Sequence, residues 1–138
     1  MNPTPQRFRH VALVGKHQAQ GMRALLEDIA GVLIESGVTV TFEYQTAQNT
    51  GITAFPVLPT ADFGRHCDLA VVVGGDGTML GIARELARQN VPLVGINHGR
   101  LGFITDIPLD RFRQVLPPIL AGEYETDERT MLEGGVWR

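Results

Sequence analysis

Residues 68–78, DLAVVVGGDGT, carry the strongest structural signal in the chain. Their first half, 68–73, is a short apolar run rich in β-branched residues, which is typical of a strand buried on both faces of a parallel sheet. The glycine-rich turn that follows predicts a helix from Thr78 to about Gln89, with Thr78 as a cap. We therefore predict a strand, a tight turn and a helix in direct succession.

The segments upstream of this unit alternate in the same way. An apolar run at 10–15 predicts a first strand, and apolar residues recurring at three- and four-residue steps predict a helix from about 19 to 36. A run of β-branched and aromatic residues predicts a second strand at 38–44. Residues 45–62 are polar or interrupted by glycine and proline, so an irregular connection is predicted there.

Downstream, a strand is predicted at 91–96 and a helix between 110 and 121. The adjacent Pro117 and Pro118 should kink this helix or end it early, because proline lacks the amide hydrogen and clashes with the preceding turn. Residues 123–138 look like a strand that begins a new unit.

Alternation of strands and helices predicts an α/β fold, a parallel sheet with helices on both faces. We expect the α/β domain to occupy residues 1–122, and 123–138 to begin a truncated, mainly β second domain. Ligands of such sheets bind beyond the carboxyl ends of the strands. The loops of interest therefore follow Val14, Val73 and Ile96.

Composition narrows the possible functions of the chain. Its 138 residues are 43% hydrophobic and 20% charged, as in a soluble globular domain, and the net charge of −3 argues against nucleic-acid binding. The apolar runs are too short to cross a membrane, and no secretory signal is recognisable. The single Cys67 cannot form an internal disulfide and fits a reducing compartment, so the cytoplasm is the expected location.

The loop after the strand at 68–73 is suited to binding phosphate. Three glycines in four positions allow unusual backbone angles and close approach of a ligand to the main chain. The first amides of the following helix carry partial positive charge, which favours anions. The candidate binding residues here are Gly74, Gly75, Asp76, Gly77 and Thr78.

Asp76 is unusual in such a loop, because its carboxylate would repel a phosphate. Either a substrate hydroxyl faces it, or a divalent cation bridges it to phosphate, and both options point to phosphoryl transfer. A tight turn with aspartate as a simple cap is the plainer alternative. The Walker pattern and the G-x-G-x-x-G fingerprint of dinucleotide-binding dehydrogenases are both absent.

A second loop, NHGRLGF at 97–103, follows the strand at 91–96. If the two strands are neighbours, this loop lies on the same sheet edge as Asp76. Asn97 offers both a donor and an acceptor, suited to a ribose or a purine edge, and Phe103 could form an apolar wall. The candidate binding residues of this loop are Asn97, Gly99 and Phe103; local roles in the backbone and core are the alternatives.

GGDGT followed, one strand–helix–strand unit later, by N-x-G-x-L-G-F closely resembles the NAD kinase family. The similarity runs from the first strand to the end of the chain. The pair of motifs is specific, whereas GGDGT alone also occurs in diacylglycerol and sphingosine kinases.

The resemblance implies transfer of a phosphoryl group from ATP, or from polyphosphate in some members, to the 2′-hydroxyl of the adenosine ribose of NAD. The product is NADP, and a divalent metal, usually Mg²⁺, serves the reaction. By the same resemblance Asp76 is the catalytic proton acceptor, and Gly77, Asn97 and Phe103 contribute to the dinucleotide site. Residues 1–122 would then be the nucleotide-binding domain.

Family members are about twice this length and carry an Asn-Glu pair shortly beyond the point where this sequence stops. We therefore expect the isolated chain to bind nucleotides weakly and to have little or no activity. The expected partners are small-molecule nucleotides, with no nucleic acid and no membrane, and the full-length protein is expected to be a homo-oligomer. Two alternatives stay open: a GGDGT kinase acting on a lipid or another small alcohol, and a non-catalytic nucleotide-binding or assembly module.

Overall fold

The computed structural model describes residues 8–15, 21–74, 76–97, 106–108 and 111–121. Within these ranges the strands and helices are, in chain order, β1 His10–Val14, α1 Met22–Glu35, β2 Thr39–Glu43, α2 Tyr44–Thr50, β3 Val57–Leu58, a 3₁₀ helix Thr60–Asp62, α3 Phe63–His66, β4 Leu69–Gly74, α4 Asp76–Gln89, β5 Leu93–Asn97, β6 Asp106–Pro108 and α5 Phe112–Leu120.

The described strands form one six-stranded sheet in the order β3-β2-β1-β4-β5-β6. Every neighbouring pair is parallel, which confirms the predicted α/β fold. The chain moves outward from β1 to β3 on one side and then crosses over to β4 and proceeds to β6 on the other. The direction of winding reverses between β1 and β4, and at such a switch point the loops diverge and leave a crevice at the carboxyl edge.

Both faces of the sheet are covered, because successive side chains of a strand point to opposite faces. Val11 and Leu13 of β1 belong to a cluster that includes buried residues of α1 and α5. Ala12 and Val14 belong to a second cluster, on the other face, with residues of α3 and α4. All six residues of β4 are buried, as its unbroken apolar run predicts.

The prediction of an irregular connection at 45–62 is wrong. That segment contains most of α2, then β3 and the 3₁₀ helix. The start of α2 is fixed by a polar interaction, since the Glu43 side chain accepts hydrogen bonds from the backbone N–H groups of Gln45 and Thr46. Such a helix has no long apolar stripe, and β3 is too short to show a strand pattern, so hydrophobic periodicity misses both.

Two further elements differ from expectation. The helix α5 does not end early, but runs through Pro117 and Pro118 to Leu120. Its residues Phe112, Leu116 and Leu120 are buried at four-residue spacing, so packing against the core outweighs the missing amide hydrogens. The strand β6 was not predicted, and residues 123–138, expected to begin a second domain, lie outside the described part of the chain.

Candidate functional site

The carboxyl ends of β4 and β5 lie side by side. Gly74, the last residue of β4, is the Cα partner of Asn97, the last residue of β5. Paired strands are about 4.8 Å apart, so both connections leave the sheet at one place. The helix α4 begins two residues after Gly74, at Asp76, and its N-terminus therefore points its unpaired amides toward this edge.

The first of the two predicted loops is tighter than expected. Because α4 begins at Asp76, Thr78 is the third residue of the helix rather than its cap, and the prediction of Thr78 as the capping residue is wrong. Asp76 and Gly77 lie in the same first turn, where the helix dipole favours negative charge. Gly74 has a φ of 156°, an angle that residues with side chains rarely adopt.

Of the predicted binding residues, the structure brings two strand ends and one helix turn together at this edge. These are Gly74 on β4, Asn97 on β5, and Asp76, Gly77 and Thr78 on α4. The remaining predicted residues lie outside the described part of the chain, and they are Gly75, Gly99 and Phe103.

The end of β1 is held by a buried polar network that sequence reasoning missed. The backbone N–H of Gly15 donates to Thr46 Oγ1 at 2.9 Å, and the Thr46 hydroxyl donates to Glu43 Oε1 at 2.7 Å. Thr46 is fully buried and Glu43 is only 3% exposed. The sequence shows Glu43 at the end of a predicted strand and Thr46 three residues later, which could have indicated a helix cap. No local sequence pattern connects these two residues to Gly15.

Cys67 lies at the opposite, amino edge of the sheet, just before β4. Burial, and next the negative charge of Asp68, raise the pKa of its thiol from 9.0 to about 11. A thiol with so high a pKa is almost entirely protonated at neutral pH and is a poor nucleophile. Cys67 is therefore part of the core and has no place at the carboxyl edge.

The described residues contain neither a group of metal-ion ligands nor a helix able to cross a membrane. No three His, Cys, Asp or Glu side chains in the described ranges are grouped so that they could hold a metal ion. Among the same residues, no helix has the length and apolar character needed to cross a membrane.

The chain is similar to known proteins over most of its length. A family model described as the ATP-NAD kinase N-terminal domain matches residues 11–124, from β1 to just beyond α5. The chain is 57% identical over 132 residues to an NAD kinase of Methylibium petroleiphilum, and the match covers 96% of the chain and 44% of that protein. It is 58% identical over 131 residues to an NAD kinase of Polaromonas naphthalenivorans, covering 95% and 45% respectively. The chain thus spans less than half the length of these curated relatives.

Among solved structures, the crystal structure of yeast NADH kinase complexed with NADH is similar to this fold. Its TM-score is 0.68 with 20% sequence identity, and the match covers 86% of this chain and 37% of that one. At this identity the likeness supports the fold.

Proposed function

Because the chain belongs to the ATP-NAD kinase N-terminal domain family, we propose that the protein containing it is an NAD kinase. It transfers the γ-phosphoryl group of ATP, or a phosphoryl group of polyphosphate, to the 2′-hydroxyl of the adenosine ribose of NAD. The products are NADP and ADP, or NADP and a shortened polyphosphate. The observation that carries the proposal is the pairing of Gly74 with Asn97, with Asp76 opening α4 beside them.

The chemistry assigned to this edge follows from its residue types. Asp76 accepts the proton of the ribose 2′-hydroxyl while the 2′-oxygen attacks the γ-phosphorus of ATP. The bond between that phosphorus and the β,γ-bridging oxygen breaks, and the bridging oxygen leaves as part of ADP. Backbone amides at the start of α4 and of the glycines before it hold phosphate oxygens in this proposal. Gly77 and Thr78 line the same turn.

The second strand end supplies contacts to the dinucleotide. Asn97 can donate to one polar atom and accept from another, which suits a ribose or an adenine edge. Gly99 and Phe103, which follow it in sequence, complete the binding residues we assign, with Phe103 as an apolar wall for a ring.

Mg²⁺ would be held mainly by the phosphate groups of the substrates. Magnesium sites in phosphoryl-transfer enzymes use one or two carboxylates together with substrate phosphates. Asp76 is assigned as the proton acceptor and no residue is assigned as a ligand of the ion, since no three His, Cys, Asp or Glu side chains of the described residues are grouped to hold a metal. The ion would neutralise charge on the transferred phosphoryl group.

We also assign the protein to the cytoplasm, with nucleotides rather than nucleic acid or membrane as partners, and expect the full-length form to be a homo-oligomer. The net charge of −3 and the single cysteine support the location and the choice of partners.

The test is an assay of NADP formation from NAD, ATP and MgCl₂. The 138-residue chain is assayed beside a version extended to the length of the curated relatives. NADP formation by the extended protein supports the proposal, with little or none expected from the chain alone. Phosphorylation of diacylglycerol but not of NAD would identify a lipid kinase instead. Calorimetric titration of the chain with NAD and with ATP should show weak binding, and absence of heat with both would mean that it holds no usable nucleotide site.

A further inference from the structure

The network of Glu43, Thr46 and Gly15 connects the end of β1 with the junction of β2 and α2, which lies about 30 residues further along the chain. Glu43 ends β2, Thr46 lies in α2, and Gly15 follows β1. Glu43 uses both carboxylate oxygens: Oε2 accepts from Gln45 N at 3.0 Å, and Oε1 accepts from Thr46 N at 2.9 Å and from Thr46 Oγ1. The Thr46 hydroxyl donates to Glu43 and accepts from Gly15, so it makes one bond of each kind and has a defined orientation.

Gly15 is the first residue of the chain beyond the ladder of β1. The last Cα pairs of β1 are Leu13 with Phe42 on β2 and Val14 with Val72 on β4. Its buried N–H needs a partner after the strand ends, and Thr46 Oγ1 is that partner. Continuing the register places Gly15 beside Val73, one residue short of the level of Gly74.

Gly15 is also confined on its Cα side. A Cβ placed there would lie 3.1 and 3.2 Å from the two Cδ atoms of Leu26 and 3.3 Å from Met22 Sδ, both on α1. The amide is held by α2 and the Cα is packed against α1. The exit of the chain from β1 is therefore fixed from two directions, at the switch point between β1 and β4.

We propose that Glu43 and Thr46 are positioning residues for the nucleotide site, acting through the Gly15 amide to hold the end of β1 beside the β4–α4 turn. The inference rests on the proposed function, because it concerns the same edge of the sheet. Neither side chain touches the substrate in this proposal. Their effect is to keep the β1 side of the crevice at a fixed distance from Gly74 and Asp76.

The chain contains a natural control at the other end of β1. Asp68 is also a carboxylate that accepts backbone hydrogen bonds, from Arg9 N at 3.0 Å and from His10 N at 3.1 Å. It anchors the start of β1 at the amino edge, away from the candidate site. If both anchors were purely structural, substitutions at Thr46 and at Asp68 would change the enzyme kinetics equally. If Thr46 positions the nucleotide site, only the substitution at Thr46 would change them.

The experiment compares Thr46→Val with Thr46→Ser, Thr50→Val and Asp68→Ala in the extended protein. Thr46→Val keeps the shape and removes the hydroxyl, whereas Thr46→Ser retains it. Thr50 lies in the same helix and its hydroxyl donates to Thr46 O at 2.8 Å without contacting Gly15, so Thr50→Val controls for loss of a helix hydroxyl. KM and kcat for NAD and ATP and the unfolding free energy are measured for each.

For Thr46→Val we expect KM for at least one nucleotide to rise and kcat/KM to fall roughly tenfold to 100-fold, the scale of small displacements at a reacting site. The kinetic constants of Thr46→Ser, Thr50→Val and Asp68→Ala should stay within about threefold of those of the unsubstituted protein, whatever these variants lose in stability. Equal kinetic losses in Thr46→Val and Asp68→Ala, or none in Thr46→Val, would overturn the proposal.

Amide hydrogen exchange on the unsubstituted protein keeps the test independent of folding of the variants. The Gly15 amide should exchange at least about tenfold more slowly than an unprotected amide. Rapid exchange at Gly15 would contradict the network directly. If the Gly15 amide is protected but the unsubstituted protein makes no NADP, the proposed function is wrong, whereas the hydrogen-bond network is supported.

Discussion

Gly74 and Asn97 are the last Cα partners of β4 and β5, and Asp76 begins a helix two residues after Gly74. This relationship brings the GGDGT turn and the start of the N-x-G-x-L-G-F loop, which are separated by the whole of α4, to one point of the sheet edge. The first turn of α4 and the strand end at Asn97 therefore lie at the same edge of the sheet, where the nucleotide site is proposed.

Replacement of Asp76 by asparagine should remove the proton acceptor while keeping the size of the side chain. In the extended protein we expect kcat to fall roughly 10²- to 10⁴-fold, the usual contribution of a positioned acid–base group. Steady-state NADP formation measures the change. Asp28→Asn, on the exposed side of α1 where Asp28 pairs with Arg113, is the matched control and should keep kcat within about twofold. Near-normal activity of Asp76→Asn would remove Asp76 from the chemistry.

Substitution of Gly64 by alanine should destabilise the protein. A Cβ at Gly64 would lie 2.9 Å from Gln89 Cβ and from Gln89 Oε1, which accepts the Gly64 N–H hydrogen bond. We expect a loss of about 1–3 kcal/mol from overpacking. Gly31→Ala is the control, because a Cβ added at Gly31, in the middle of α1, has no other atom within 4 Å. This substitution should raise the free energy of unfolding by about 0.5–1 kcal/mol. Urea unfolding compares them, and equal stability changes would contradict the close approach.

Removal of the Asp68 carboxylate should loosen the start of β1. Asp68→Ala leaves the Arg9 and His10 amides without their acceptor, although water can replace part of the bonding at this half-exposed position. We expect the free energy of unfolding to fall by about 1–2 kcal/mol, which is at the low end of the usual range for hydrogen bonds to a charged group. Chemical denaturation gives the value, and Asp68→Asn, which retains one acceptor oxygen, should lose less. A larger loss in Asp68→Asn would mean that these bonds are not the cause.

The raised pKa of Cys67 makes stability depend on alkaline pH. An unfolded thiol ionises near 9.0 and the folded one near about 11, so the folded state retains the proton between these values. The contribution of the thiol is therefore fully present below pH 9.0 and is lost as the pH rises toward about 11. Between pH 8 and pH 10, the Tm of thermal unfolding should fall more for the natural protein than for Cys67→Ala. Parallel curves for the two would show that Cys67 does not titrate differently in the folded state.

Local chemistry in the sequence determined the central part of this protein. The unbroken run at 68–73 gives β4 because a continuous apolar strand is stable when both of its faces are buried. The three- and four-residue steps after residue 21 give α1 because they place its apolar residues on one buried face. The glycines around Asp76 predict a phosphate-binding turn, and the backbone of the predicted edge contains Gly74, Asp76 and Asn97. What these residues bind stays a prediction.

The tertiary structure alone decided the elements that depend on distant partners. The strands β3 and β6 are two and three residues long, and they exist because β2 and β5 offer hydrogen bonds, not because of their own propensity. The helix α5 continues through its prolines because its apolar stripe is buried. The bond between Gly15 and Thr46 spans 31 residues of sequence. No local pattern encodes such a contact, since its energy is realised only after the sheet has brought β1 and β2 together.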